Sequence, residues 1–146
     1  MKVKNINIIN YDTILGRYVE KRLPQKISFA ITKNLFIIAK ELEPYRKSLQ
    51  KIIDSYEDYQ VKDDKGELVN LDIGIPKVDK EHEKDYFSEV EELLNIEVEI
   101  ELYQIDADAF DYPDSERYDA MSAKDIVNLQ TVLCKQDGEE TEKVSK

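Results

Sequence analysis

The chain has 146 residues, 41% hydrophobic and 36% charged, with a formal net charge of -11. That is the size of one ordinary domain with a core and a densely ionised surface. Four Gly and four Pro argue against a many-turned β-sandwich, and a single Cys, Cys134, excludes an intrachain disulfide. There is no signal-peptide pattern and no apolar run long enough to span a bilayer, so a cytoplasmic protein without a membrane partner is the expectation.

The charge is bipolar. Over residues 1–56 eleven Lys and Arg stand against five Asp and Glu, whereas the remaining ten basic and 27 acidic residues leave -17 on the rest. Either the two halves face each other in the fold, or two surfaces of opposite sign are offered to partners.

In chain order, residues 3–9 mix Val and Ile with Lys and Asn and suit a short strand, although Ile8 and Ile9 fit the following helix equally well. Asn10 is the expected N-cap of a first helix reaching about Arg22, with Ile14, Leu15, Tyr18 and Val19 on its apolar face. Leu23-Pro24 stops it and starts the next, because the residue before a proline leaves the α region while a proline suits a first helical turn. Two helices so joined form a hairpin.

The second helix is predicted over residues 25–57, roughly 45 to 50 Å at 1.5 Å per residue. Ile31, Ile38, Tyr45 and Ile52 hold one seam position and Leu35, Leu42, Leu49 and Tyr56 the other, a heptad stripe that keeps one side facing a partner. Pro44 removes a backbone donor inside it, so a kink or break is expected there. Phe29, Phe36 and Ile37 widen the first half of the stripe, which places that half in the core. The second half is expected to project and to expose Leu49, Ile52, Ile53 and Tyr56 unless something covers them.

Residues 59–61 and 67–75 flank Asp63-Asp64-Lys65-Gly66, which fits a hairpin turn. Asp79 can cap a third helix through Leu94, with Tyr86, Phe87, Val90, Leu93 and Leu94 on one face and Asn95 as its stop. Ile96, Val98, Ile100 and Leu102 then alternate with Glu97, Glu99 and Glu101, the period of a strand buried on one side. Ser122 with Asp125 forms a capping-box start to a last helix bearing Ile126, Val127, Leu129, Val132 and Leu133, and from Lys135 a polar, disordered tail is expected. The sum is a single α+β domain over residues 1–134: a helical hairpin with one long helix packed on a small, mainly antiparallel sheet.

Lys26-Ile27-Ser28-Phe29-Ala30-Ile31 after Leu23-Pro24, the long charged helix, and Glu91-Glu92-Leu93-Leu94-Asn95-Ile96-Glu97-Val98-Glu99-Ile100 together resemble a family of small uncharacterised proteins from phages and prophages of Gram-positive bacteria. The similarity runs from Met1 to about Cys134. It implies a mobile-element origin and brings no catalytic residues with it.

Chemistry is sparse. His82 stands alone among carboxylates, which does not make a zinc or iron site. Asp106, Asp108 and Asp111 invite a calcium reading, yet Asp111 occupies the sixth position where an EF-hand loop needs Gly, and the bidentate Glu at the twelfth is missing. Glu97, Glu99 and Glu101 share one strand face but have no sign of a sugar cleft around them, and Cys134 closes an apolar helix without a His nearby in sequence. No enzyme activity, cofactor or metal is expected. Arg17, Lys21, Arg22, Lys26, Lys33, Lys40, Arg46, Lys47 and Lys51 could follow phosphates, but the acidic whole opposes direct nucleic-acid binding.

The expected partner is a protein. Candidate contacts are Leu49, Ile52, Ile53 and Tyr56 on the projecting helix, and Phe110, Tyr112 and Tyr118 among the carboxylates of residues 106–119. The most specific expectation is an accessory factor that redirects a large serine recombinase, whose coiled-coil arms a heptad helix suits. The alternatives are an inhibitor of a host defence protein acting through the acidic surface, and a virion assembly or scaffolding protein.

Overall fold

The computed structural model of the chain describes residues 1–135. Strand β1 (Lys2–Lys4) leads into helix α1 (Asn5–Gly16) and helix α2 (Gln25–Ser55); after a 3-10 turn (Glu57–Tyr59) come helix α3 (Lys80–Leu94), strand β2 (Glu97–Glu99), a second 3-10 turn (Ala107–Phe110) and helix α4 (Ala123–Leu133). The architecture is α+β: α1 and α2 form a helical hairpin, and β1 pairs antiparallel with β2, Val3 opposite Val98. The tail expected from Lys135 lies, beyond its first residue, outside the described residues.

The opening strand is shorter than residues 3–9, because a long-range contact starts α1 early. Asn5 is buried, its side-chain amide donates to the Leu93 carbonyl at 2.9 Å, and its backbone N–H donates to the Ile96 carbonyl at 3.0 Å. Asn10 is therefore inside the helix rather than its cap. At the far end α1 stops at Gly16, not Arg22, and tight turns bonded from Arg17 to Ile14 and from Tyr18 to Leu15 carry the chain onward. Leu23-Pro24 acts as read: the Pro24 carbonyl accepts from Ile27 and Ser28 at 3.0 Å, and α2 begins at Gln25.

Helix α2 runs unbroken for 31 residues with Pro44 inside it. Proline leaves the carbonyl four residues earlier without its helical donor; Pro44 and Lys40 are both exposed, so water is at hand for that group. Along the first half Ile31, Ile38 and Leu42 are buried and Leu35 and Tyr45 half-buried, in a main cluster shared with α1 and α4 through Ile8, Leu15, Leu129 and Leu133.

The second half does not project. Leu49, Ile52, Ile53 and Tyr56 are half-buried against Ile75, Val78, Tyr86 and Val90 in a second cluster. Two segments cover this half. Residues 60–78 fold back in three antiparallel bridges, Gln60 to Val78, Lys62 to Leu68 and Asn70 to Pro76. The first turn is the anticipated one, with the Asp63 carboxylate accepting from Lys65 N–H at 2.9 Å and Glu67 N–H at 3.0 Å and Gly66 at φ 80°, a value that suits glycine. Helix α3 supplies the other cover, capped at Asp79, whose carboxylate accepts from His82 N–H at 3.0 Å.

Several apolar residues assigned to buried faces lie outside. Phe36 is 74% exposed and Phe29 53%, and Phe87 and Val127 are also exposed. Phe29 lies two residues, about 200° of helix rotation, from the buried Ile27 and Ile31, and Phe36 lies the same from the buried Asn34 and Ile38, so both point away from the core. Strand β2 ends at Glu99, although Ile100 beyond it is still buried. Helix α4 opens on the expected capping box, Asp125 N–H donating to Ser122 Oγ at 3.1 Å and Ser122 N–H to Asp125 Oδ2 at 3.0 Å.

This distribution separates two substitutions on one helix. Leu42→Ala is expected to cost about 2 to 5 kcal/mol, and Phe36→Ala to stay within about 0.5 kcal/mol of wild type. Urea melts of both variants check it.

Candidate interaction surface

The second cluster is tied by an aromatic ladder at the end of α2. Tyr56 meets Tyr86 edge-on at 5.0 Å and Tyr59 at 6.2 Å, and Tyr59 stacks on the His82 ring at 3.5 Å. The Tyr56 hydroxyl donates to Glu89 at 2.6 Å, which together with burial pushes its pKa up to about 12. His82 Nδ1 lies 2.7 Å from Asp79 Oδ1, and that hydrogen bond holds the Asp79 carboxyl below its ordinary range. The lone histidine thus completes a helix cap. Leu49, Ile52, Ile53 and Tyr56, proposed from sequence as partner contacts, serve here to join α2 to α3.

The acidic segment divides. Phe110 is buried in the main cluster at 8% exposure, contrary to its expected place on a surface, because the 3-10 turn Ala107–Phe110 aims it inward. Tyr112 and Tyr118 are half-buried and meet edge-on at 5.4 Å, with the Arg117 guanidinium 5.3 Å from the Tyr118 ring. Asp106, Asp108, Asp111, Asp114 and Glu116 are exposed, but Asp119 turns back to the basic half. Its carboxylate accepts from Arg22 N–H at 2.8 Å and from the guanidinium at 3.1 and 3.3 Å, and these contacts, the backbone bond foremost, lower its pKa. The opposite charges of the two halves do meet, at this corner.

Glu99 and Glu101 hold the Met1 ammonium at 2.8 and 3.3 Å. Cys134 is buried, and burial pushes its thiol pKa up. Among the described residues no group of three or more His, Cys, Asp and Glu is placed to hold a metal ion, and no helix is long and apolar enough to cross a membrane.

What sequence reasoning missed is the outer face of α2. Asn34, fully buried, donates its amide to the Tyr103 carbonyl at 2.9 Å and accepts from the Tyr103 N–H at 2.7 Å, so a side chain pairs the Tyr103 backbone as a neighbouring strand would. This sets the exposed Tyr103 ring edge-on to Phe29 at 5.5 Å, with Lys33 Nζ 6.0 Å from its centroid. Phe36 continues the strip one heptad along. Beside Tyr103, Lys26, Ile105, Asp106, Asp108 and Ala109 enclose a shallow pocket of about 190 Å³. The signal was present in the sequence: Phe29 and Phe36 share a heptad position that is not a seam position.

Compared with known proteins, the chain matches no family model, no curated protein and no solved structure.

The Arg22–Asp119 corner has a pH signature. A carboxyl whose folded pKa lies below its ordinary 3.8 contributes stability above that value and loses it as pH falls through the lowered one. Asp119→Asn is therefore expected to lower the Tm at neutral pH, and the difference from wild type to shrink as pH drops below 3.8. Thermal melts of both proteins across acidic pH measure it.

Proposed function

We propose that this is a non-enzymatic binding protein of a phage, prophage or related mobile element, which acts in the host cytoplasm by docking on another protein and changing what that protein does. The observation that carries the reading is the aromatic strip on α2, where Phe29 at 53% exposure stands edge-on to the exposed Tyr103 and Phe36 at 74% follows one heptad along. Apolar side chains grouped on a rigid helix and rimmed by charge mark interaction sites. The resemblance to small phage proteins supports the origin. The most specific form of the proposal remains an accessory factor that redirects a large serine recombinase. Because α2 already fills its own seam with α1, α3 and α4, a coiled-coil arm would be met by the outer face of α2 rather than by its heptad stripe.

A second reading, inhibition of a host defence protein, draws on the exposed Asp106, Asp108, Asp111, Asp114 and Glu116 as a negative surface.

Affinity capture from the host, read by mass spectrometry, separates the two. With Phe29→Ser/Phe36→Ser the partner is expected to be lost at an unchanged Tm, while neutralising the five carboxylates is expected to leave it bound; the reverse pattern would favour the defence-inhibitor reading. If the captured protein is a serine recombinase, the protein alone should not shift DNA at physiological salt but should supershift the recombinase–DNA complex and change which site pairs recombine.

A further inference from the structure

Lys26, Lys33, Lys40 and Lys47 follow one another at seven-residue intervals on the exposed side of α2, about 10.5 Å apart along the axis. Phe29 lies between the first two and Phe36 between the second and third, so basic and aromatic side chains alternate on one strip, with Glu43 near its far end. Among the described residues none of these four lysines is in an ion pair; Lys33 instead sits over the Tyr103 ring.

Taking the protein-docking reading as its basis, we propose that this strip receives an acidic amphipathic helix of a partner protein, laid along α2 with its apolar side chains over Phe29 and Phe36 and its carboxylates against Lys33 and Lys40. Three features select that occupant. The first is spacing. An α-helix repeats side-chain positions every seven residues at the same 10.5 Å, and its stripe drifts by about 20° per heptad, as the lysine row must. An extended chain repeats each face at about 6.8 Å and so meets only every second lysine in register. The second is sign: a second copy docked by two-fold symmetry would set lysine against lysine, so an isologous dimer through this face is disfavoured. The third is shape. Single-stranded nucleic acid is gripped in charged grooves, whereas Phe36 stands at 74% exposure on the convex side of a helix.

The test uses the full chain and a designed helical peptide of about four heptads, with leucine on one stripe and glutamate flanking it. The expected result is binding that weakens with salt and falls about tenfold or more in both Phe29→Ala/Phe36→Ala and Lys33→Glu/Lys40→Glu, at unchanged Tm. A peptide with lysine in place of glutamate should bind only the Lys33→Glu/Lys40→Glu protein. No binding of the acidic peptide, or binding indifferent to both double variants, overturns the proposal. So does salt-sensitive self-association in sedimentation, or lysine-dependent binding of a single-stranded oligonucleotide or of phosphatidylserine vesicles in place of the peptide. If the captured host partner depends on Phe29 and Phe36 while the peptide fails, protein docking stands and the acidic-helix occupant is wrong.

Discussion

Helix α2 has one apolar stripe along 31 residues, and covering that stripe decides where nearly everything else goes. A stripe so long exceeds what one short helix can bury, so the chain covers it twice. Helices α1 and α4 close over Ile31, Ile38 and Leu42, and α3 with residues 60–78 closes over Leu49, Ile52 and Ile53. At about 1.5 to 3 kcal/mol for each large side chain fully buried, the first cover contributes more per residue than the second, whose α2 side chains are only half-buried. The joints between the layers are polar and local. Asn5 ties the start of α1 to the end of α3, Arg22 ties the hairpin corner to Asp119, and Tyr18 donates to Asp125 of α4 at 2.7 Å.

Asn34 links this packing to the surface. Its amide is buried where β2 has already ended, and it satisfies both the N–H and the C=O of Tyr103, groups that would otherwise lose water without replacement. The outcome is geometric as well as energetic: Tyr103 is held against Phe29, and an aromatic group stands on the side of α2 that faces solvent. A helix whose inner stripe is occupied along its length presents only that outer side to a partner.

Local signals in the sequence were legible and remote ones were not. The Leu23-Pro24 break, the Asp79 cap, the Asp63–Gly66 turn and the Ser122–Asp125 box each involve residues within a few positions of one another, and the structure has them all. The first half of the heptad seam is legible as a packed stripe. The second half reads as projecting but is covered, because residues 60–78 and α3 meet α2 only in three dimensions. The start of α1 at Asn5 depends on carbonyls about ninety residues away, beyond any periodicity. Apolar identity alone misplaced Phe29 and Phe36 inward and Phe110 outward, since it carries no information on which side of an element a residue falls. The same ambiguity hides the candidate surface, because the two phenylalanines that form it read as core residues in sequence.

With four Phe in the chain, fluorine NMR of 4-fluorophenylalanine-labelled protein reads this account residue by residue. A soluble paramagnetic agent should broaden Phe36 most, Phe29 next and Phe87 less, and should leave Phe110 sharp, following exposures of 74, 53, 37 and 8%. Bound partner should then shield Phe29 and Phe36 while Phe110 stays unchanged. A sharp, protected Phe36 beside a broadened Phe110 would contradict the account, returning the outer face of α2 to the core and the acidic segment to the surface.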